Sequence, residues 1–276
     1  MCRWVAYSGA PVRLEDLLFT PENSLVIQSQ HSRLGATTTN GDGFGVGWYG
    51  AEETPGVFRS TEPAWNDRNL RELSALAHSR RVFAHIRAST GSPVQQTNCH
   101  PFRHGSRLWM HNGALMGFPT MKRDLAFAVD PALFSEIEGS TDSEMLFFLA
   151  LTFGLEEDPP TAVARAVGLV EQIAQRHGIP EPVQMTVATT DGDTTWAFRY
   201  SSAHASRSLF HSADVSTLRD QYPDNPVLQE LSGDARLVVS EPLGDLQGAW
   251  REVPESCCVI VHGAEEELRP FAPTAP

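Results

Sequence analysis

The sequence predicts an α+β fold, a four-layer αββα sandwich in which two antiparallel sheets lie between layers of helices. The predicted elements run from strands, through helices in the middle of the chain, to strands again, and this segregation favours antiparallel sheets. The 276 residues, 41% of them hydrophobic, suit a single large domain with a buried core. We therefore expect one domain over residues 1–276, with a flexible tail at 266–276 because three prolines interrupt that segment.

The N-terminal third begins with a predicted strand. The segment CRWVAYSG has strand composition and is expected to close at Gly9 and Pro11. At 40–50, the run NGDGFGVGWYG predicts a turn that leads into a strand, and its glycines indicate close approach of the backbone to another group. The glycine spacing does not fit a phosphate loop or a dinucleotide fingerprint, so neither kind of nucleotide site is expected.

A helix, two strands and a long loop are predicted next. Leucines at helical spacing indicate a helix over 66–80, with Asn66 or Asp67 as its N-cap. Two apolar runs predict strands at 81–89 and 107–115. The polar segment TGSPVQQTNCHPFRHG joins these strands, and long loops in compact domains often carry function.

Two helices are predicted in the middle of the chain, before a second strand-rich region. The segment STDSEMLFFLALTFG offers Ser140 or Thr141 as N-cap, acidic residues in the first turn and then an apolar run. A second helix is expected from Thr161 to His177, ended by Gly178 and Pro180. Five strands should follow: VQMTVATTD, TTWAFRYSS, SRSLFHSAD, ARLVVSEPL and WREVPESCCVIVHG.

Composition excludes several classes of partner. Asp and Glu number 34 against 21 Lys and Arg, a formal net charge of -13, which disfavours nucleic acid and anionic membrane surfaces. No apolar stretch reaches the roughly 18 residues of a membrane span, and the start of the chain lacks a secretory pattern. Four cysteines are too few for a disulfide scaffold in a chain of this size. A cytoplasmic protein is expected.

The second residue is a cysteine. Methionine followed by a small residue is normally trimmed, so Cys2 is expected to become the first residue, with its α-amine beside its thiol. Only a thiolate attacks a carbonyl, and an α-amine with a pKa near 8 can serve as the base. The structural alternative is a buried strand cysteine.

Other residues fit the chemistry of such a nucleophile. Asn112 and Gly113 offer an amide and a bare backbone N–H to an oxyanion, although an Asn-Gly pair also marks turns. Arg87 suits capture of a carboxylate, or else a structural ion pair. Asp142 suits an ammonium group, or else the first turn of a helix. Together with Cys2 they describe a site for the γ-amide of glutamine.

Six segments, in matching order and spacing, resemble the class II glutamine amidotransferases. They are MCR at 1–3, NGDGFG at 40–45, HIRAST at 85–90, NCHPF at 98–102, HNG at 111–113 and TDSE at 141–144. The resemblance covers about the first 150 residues and implies an N-terminal-nucleophile hydrolase fold without metal or organic cofactor. It implies that Cys2 is the nucleophile, that Asn112 with Gly113 forms the oxyanion hole, and that Arg87 and Asp142 bind the α-carboxylate and α-amine of the substrate.

The resemblance extends to neighbouring loops, with one departure. Thr90 and His100 are implied to line or brace the substrate pocket, and Asp42 lies in the glycine-rich segment beside it. Larger synthases of the family often read Arg-Trp-Ala-Thr-His where this chain has RASTG at 87–91, so how this loop closes is open.

The implied reaction is hydrolysis of glutamine or of a γ-glutamyl amide through a thioester on Cys2. The chain is most similar to stand-alone family members such as the γ-glutamyl hydrolase of ergothioneine biosynthesis, with which it shares SLVIQSQHSR, GDGFGVGWY and SEPL. One alternative is a glutaminase subunit that delivers ammonia to a separate synthase partner. The other is a γ-glutamyl hydrolase specific for an ergothioneine-pathway intermediate.

Three other functions are also considered for this sequence. Two groups of residues suggest metal, namely Cys99, His100, His104 and His111, and Cys257, Cys258 and His262, but neither has zinc-ligand spacing. A glutamine-binding domain without turnover would fit the fold but not the intact motifs. Other N-terminal-cysteine amidases, such as the bile acid and penicillin V hydrolases, share only the opening Met-Cys, so HNG and TDSE favour the amidotransferase reading.

Overall fold

The structure is a computed structural model, and it describes residues 2–34, 39–89 and 91–276. Its strands are β1 Arg3–Arg13, β2 Phe44–Trp48, β3 Gly56–Ser60, β4 His78–Ile86, β5 Phe102–His104, β6 Arg107–Leu115, β7 Val183–Thr190, β8 Thr194–Ser201, β9 Phe210–Ser212, β10 Arg236–Val239, β11 Trp250–Glu252, β12 Cys257–His262 and β13 Glu265–Pro270. Its helices are α1 Leu14–Leu18, α2 Leu25–Gln30, α3 Arg68–Leu76, α4 Phe118–Ala128, α5 Pro131–Phe134, α6 Asp142–Thr152, α7 Pro159–Arg176, α8 Val215–Gln221 and α9 Pro226–Glu230.

The strands form two antiparallel sheets within these described ranges. The first sheet has the order β11-β9-β10-β1-β4-β2-β3, and the second has the order β13-β12-β8-β7-β6-β5. Strand β1 therefore lies at the centre of the first sheet, between β10 and β4. Arg3, at the start of β1, is thus placed inside the molecule, next to the end of β4.

Alternation along β1 shows how the layers stack. Trp4 and Ala6 pack with Leu108 and Met110 of the second sheet, which places this core between the sheets. Val5 and Tyr7 point to the opposite face and pack with residues of α1 and α3. Successive side chains of a strand lie on opposite faces, so one strand contributes to both cores.

Helices α6 and α7 cover the outer face of the second sheet. All residues of α6 from Ser143 to Leu151 are buried, because the helix is packed against both the sheet and α7. A helix that is apolar on every side has no solvent face, which explains the run MLFFLAL. The predicted αββα sandwich is confirmed.

The first strand and the following helix differ from the prediction in a connected way. β1 does not close at Gly9 and Pro11 but continues to Arg13 after a register shift between Ser8 and Val12. Its extension pairs with residues 78–79, so β4 starts at His78 and α3 ends at Leu76 rather than at residue 80. Residues 78–79 form a strand because they pair with β1, although the leucine spacing indicated that the helix would continue through them. Asp67 caps α3 as predicted, by accepting a hydrogen bond from the Leu70 N–H.

The C-terminal region also differs from the prediction. The segment predicted as one strand from Trp250 contributes β11 to the first sheet and β12 to the second, with Pro254 between them. The tail expected to be flexible forms β13 against β12, and Phe271 packs on the rings of Phe198 and Tyr200. Sheet pairing and aromatic packing hold a segment whose prolines alone indicated fraying. Among the described residues, no helix combines the length and apolar character needed to cross a bilayer.

Candidate active site

Cys2 lies where the start of β1 meets the end of β4. The two strands are antiparallel, so the residue before Arg3 comes beside the residues that follow Ile86. The Cys2 Sγ accepts a hydrogen bond from the Ala88 N–H at 3.3 Å and lies 3.5 Å from the Ala88 carbonyl oxygen. The thiol is held by backbone rather than by side chains of the apolar core.

Asn112 and Gly113 come from the second sheet. The Asn112 Nδ2 donates to the Cys2 carbonyl oxygen at 3.0 Å, which joins the two sheets at this point. Strand β5 pairs only with residues 107–109, so no described strand covers that edge of β6 at the Asn-Gly pair. A Cβ on Gly113 would lie 1.8 Å from the Gln184 carbonyl oxygen, so any other residue would clash with β7.

The Arg87 guanidinium is buried, with 3% of its surface exposed, yet forms no ion pair with any described residue. It donates to the Ser92 Oγ at 2.6 Å and to the Pro93 carbonyl oxygen at 3.1 Å, both uncharged acceptors. The Asp42 carboxylate does not pair with it but accepts the Ser89 N–H at 2.7 Å. The loop therefore positions a cation whose charge is not neutralised.

Asp142 joins the end of β6 to the first turn of α6. Its Oδ2 accepts the Leu115 N–H at 2.7 Å, and its Oδ1 accepts the Ser143 N–H at 2.8 Å. Thr141 caps the helix by accepting the Glu144 N–H at 3.2 Å, as predicted for this segment. No described cation forms an ion pair with the Asp142 carboxylate, so its charge is open to a ligand.

The predicted residues share a single cavity of about 750 Å³. Its lining includes Cys2, Arg87, His100, Asn112, Gly113 and Asp142. Thr90, also predicted to line the pocket, lies outside the described residues. Cavities of this size bind small organic molecules.

His100 has a different environment from the other predicted residues. Its ring lies between those of His85 and Phe102 in tilted arrangements, with ring centroids 4.3 Å from each. Neither of its ring nitrogens has a hydrogen-bond partner among the described residues. Burial lowers the pKa of His100 well below its usual value, so the ring is neutral. In addition, a Cβ on Gly45 would lie 2.2 Å from the His100 carbonyl oxygen, which is the close approach that the glycine-rich segment predicted.

His85 was not identified from the sequence, although it stands out as a polar residue in the apolar strand segment VFAHI. Its Nε2 lies 3.1 Å from the Asn112 Oδ1. Burial lowers the pKa of His85 to about 3, so the ring is neutral. An amide oxygen can only accept, so Nε2 carries the hydrogen and donates it. This bond turns the NH2 group of Asn112 toward Cys2.

A buried ion pair also contacts the backbone of Cys2. The Arg3 Nε lies 2.8 Å from the Glu241 Oε2, and the Arg3 Nη1 donates to the Cys2 carbonyl oxygen at 3.0 Å. Glu241 belongs to the SEPL segment and also accepts the backbone N–H groups of Arg33 and Leu34. The Cys2 carbonyl is thus held by both Arg3 and Asn112.

The environment of Cys2 favours the protonated thiol over the thiolate. Burial raises the pKa of the thiol, while the Ala88 N–H and the positive charges of Arg87 and Arg207 act in the opposite direction. A raised pKa keeps sulfur protonated at neutral pH. Attack by Cys2 therefore requires a proton acceptor close to the sulfur.

The two groups considered for metal binding do not assemble into a site. Among the described residues, no group of three or more His, Cys, Asp or Glu side chains is placed to hold an ion. Cys258 is buried in β12 while its neighbour Cys257 is partly exposed, as expected for adjacent residues on opposite faces of a strand.

The four-layer sandwich, with a cysteine immediately before its central strand, defines the fold class as that of the N-terminal-nucleophile hydrolases. The family model described as "Glutamine amidotransferases class-II" matches residues 20–268, and the chain belongs to this family. It is therefore an enzyme of the amidohydrolase class. The matched span begins at residue 20 and so does not include Cys2.

Comparisons with individual proteins agree with the family. The chain is 33% identical to "Probable glutamine amidotransferase DUG3" of Saccharomyces cerevisiae, covering 98% of this chain and 84% of that protein. It is 29% identical to the gamma-glutamyl-hercynylcysteine sulfoxide hydrolase of Mycolicibacterium smegmatis, covering 98% and 100%.

Solved structures share the fold. A class-II glutamine amidotransferase domain protein from Silicibacter pomeroyi matches with a TM-score of 0.75 and 32% identity, covering 99% of this chain and 100% of that one. The phosphoribosylpyrophosphate amidotransferase of B. subtilis matches with a TM-score of 0.62 at 15% identity over 50% of its length, which shows the fold alone.

Proposed function

We propose that this enzyme hydrolyses the γ-amide of glutamine or of a γ-glutamyl amine through a γ-glutamyl thioester on Cys2. One observation carries the proposal: Cys2, Asn112, Arg87 and Asp142, which come from both sheets and from α6, line one cavity. The family relationship supports γ-amide chemistry, and the geometry supports the assignment of roles.

The base in this mechanism is the α-amine of Cys2, exposed when Met1 is removed. The amine takes the thiol proton as sulfur attacks the γ-carbonyl, and later gives a proton to the departing nitrogen. Water then attacks the thioester, releases glutamate and restores the thiol. Because nucleophile and base belong to one residue, they do not depend on a second side chain for their relative position.

The oxyanion formed by this attack needs donors fixed beforehand. The Asn112 amide has two hydrogens, of which one goes to the Cys2 carbonyl oxygen and the other is free to face the substrate. The Gly113 backbone N–H, on the uncovered stretch of β6, supplies the second donor. We propose these two groups as the oxyanion hole.

The head group of the substrate is expected to be a free amino acid. Arg87 and Asp142 have opposite charges, line the same cavity and lack an ion-pair partner among the described residues. A carboxylate on Arg87 and an ammonium group on Asp142 would neutralise both. His100 and Thr90 are proposed to brace this part of the pocket.

The relatives' names support γ-glutamyl compounds as the substrate class, because one is described as a probable glutamine amidotransferase and another as a γ-glutamyl hydrolase. We propose that residues 1–276 form one such domain, since β1 and β13 belong to its two sheets. A cytoplasmic location is also proposed, supported by four cysteines that are all free thiols.

The test is glutamate release by purified wild type and by Cys2→Ala, with Cys257→Ala as the matched control that removes a half-exposed thiol on β12. Wild type and Cys257→Ala should hydrolyse glutamine or γ-glutamyl amides, while Cys2→Ala should lose turnover and keep its melting temperature. Retained turnover in folded Cys2→Ala would refute the nucleophile. Intact mass of the active enzyme should show Met1 removed, and an active enzyme that retains Met1 would refute the amine as base.

A further inference from the structure

Arg207 is a second cation at this cavity that has no ion-pair partner in the part of the chain that the structure describes. It precedes β9 and is partly buried, and no described residue forms a hydrogen bond or an ion pair with its guanidinium. Its charge is near enough to Cys2 to act on the thiol. A guanidinium that lines a cavity and has no carboxylate partner keeps its donors available to a negatively charged group of a ligand.

The position of Arg207 separates it from the residues proposed for the substrate head group. Arg87 and Asp142 line the cavity of about 750 Å³ but not the adjoining cavity of about 290 Å³, whereas Arg207 and Asn112 line both. The wall of this smaller cavity includes Arg3, Ser206 and Ser208. Arg207 therefore stands at the junction, beside the oxyanion donor and on the side that leads away from the head-group residues.

The charged side chains that line the larger cavity outnumber the charges that glutamine could neutralise. Its described lining contains the cations Arg87, Lys122 and Arg207 and a single anion, Asp142. A free amino-acid head uses one cation and one anion, so glutamine would leave Arg207 and the exposed Lys122 unmatched. In a chain of net charge -13, this local excess of positive charge points to a further negative group on the ligand.

We propose that Arg207 binds a carboxylate on the leaving amine, so that the preferred substrates are γ-glutamyl amino acids or γ-glutamyl peptides rather than glutamine. This inference rests on the proposed function and deepens it. The α-carboxylate of an amino acid lies two bonds from the scissile nitrogen, which suits a cation that stands beside the nucleophile. A guanidinium also matches a carboxylate with two parallel hydrogen bonds.

The reaction balances with water as the only co-reactant. The Cys2 sulfur forms a bond to the γ-carbonyl carbon, the carbon–nitrogen bond breaks, and the thiol proton passes through the α-amine to the departing nitrogen. An amino acid or peptide leaves with its carboxylate on Arg207. Water then cleaves the thioester to glutamate and the free thiol.

The test compares two substrates that differ by one charge, γ-glutamylglycine and γ-glutamylglycinamide. Wild type should show a kcat/KM ratio, acid over amide, of roughly tenfold or more. Arg207→Gln should bring this ratio close to one, because the hydrogen-bonded charge pair that favours the acid is lost. Because both substrates meet the same enzyme, the ratio does not depend on the fraction of active protein.

Three control variants sharpen the result. Arg207→Lys keeps the charge without the two-pronged donor and should retain part of the preference. Arg165→Gln, at an exposed position on α7, removes the same charge away from the cavity and should leave the ratio unchanged. Lys122→Gln, at an exposed position, should change the ratio less than Arg207→Gln because water screens its charge.

The outcomes separate the two proposals. An unchanged ratio in Arg207→Gln, a wild type that prefers the amide, or a larger effect at Lys122 would overturn the role of Arg207 while glutamate release still supports the proposed function. No glutamate release by wild type from glutamine or from either dipeptide would instead overturn the proposed function.

Discussion

At the residue scale, the orientation of the Asn112 amide decides whether it can stabilise an oxyanion. Turned the other way, its oxygen would face the developing negative charge. The neutral His85 ring donates to the Asn112 Oδ1 at 3.1 Å and so fixes the NH2 group on the side of Cys2. His85 acts through Asn112 and is therefore a positioning residue.

His85→Leu should lower kcat by about tenfold to a hundredfold, somewhat less than the loss of an oxyanion donor itself, because Asn112 stays but is no longer oriented. KM should stay within about threefold, since the head-group residues are untouched. His85→Gln keeps a donor and should recover part of the kcat. Steady-state kinetics on both variants, with circular dichroism as a check of folding, measures this split. Equal losses in Leu and Gln variants would indicate a purely structural role.

At the element scale, helix α6 places Asp142 through its N-terminal cap. Thr141 accepts the Glu144 N–H, and Asp142 in the first turn bonds to the Leu115 N–H of β6. Ser, Thr and Asp caps satisfy backbone donors that the helix itself leaves free. The cap therefore affects both the stability of the helix and the position of the carboxylate proposed to bind the substrate.

Two cap variants distinguish these effects. Thr141→Ala and Asp158→Ala, which removes the cap of α7, should each lower the free energy of unfolding by about 0.5–2 kcal/mol. Only Thr141→Ala should also raise KM, because Asp158 lies outside the cavity. Urea denaturation and steady-state kinetics give the two readouts. The same KM change in both variants would show that loss of stability alone weakens substrate binding.

At the scale of the whole molecule, buried histidines connect the active site to the pH dependence of stability. His85, His100 and His111 are almost fully buried, and burial lowers the pKa of each. In the unfolded chain these rings titrate near pH 6.5. Below that pH the unfolded state binds more protons than the native state, so the stabilising contribution is present above pH 6.5 and is lost as pH falls, toward about pH 3 for His85.

Removing one buried histidine ring should make the free energy of unfolding depend less steeply on pH. His100→Phe keeps an aromatic ring against Phe102 and removes two buried ring nitrogens that have no hydrogen-bond partner among the described residues. Between pH 6 and pH 4 the free energy of unfolding should fall less steeply than in wild type, by about 1.4 kcal/mol per pH unit for one proton. Denaturation across this range, with the exposed His31→Phe as control, tests the expectation. A wild-type slope in His100→Phe would mean that His100 is protonated in the native state.

The sequence predicted elements whose signals are local. The caps Asp67 and Thr141 and the apolar run of α6 lie within one or two turns of the helices they define. It missed the extension of β1, the strand β13 and the division of the segment after Trp250, because pairing partners elsewhere in the chain determine them. The short helices α1, α2, α5 and α9 have too few residues for a periodic pattern.

For the candidate active site, the residue types could be identified from local sequence: a cysteine beside its own amine, an Asn-Gly pair, an arginine after an apolar strand and a carboxylate in a first helical turn. Three relationships depend on how distant segments pack: His85 orients Asn112, Glu241 binds Arg3 from 238 residues away, and Arg207 borders the cavity. Helix caps and hydrophobic periodicity depend on residues close together in the sequence, so they can be predicted from it. Sheet pairing joins segments far apart in the sequence, and their local sequence does not indicate which segment will lie beside them.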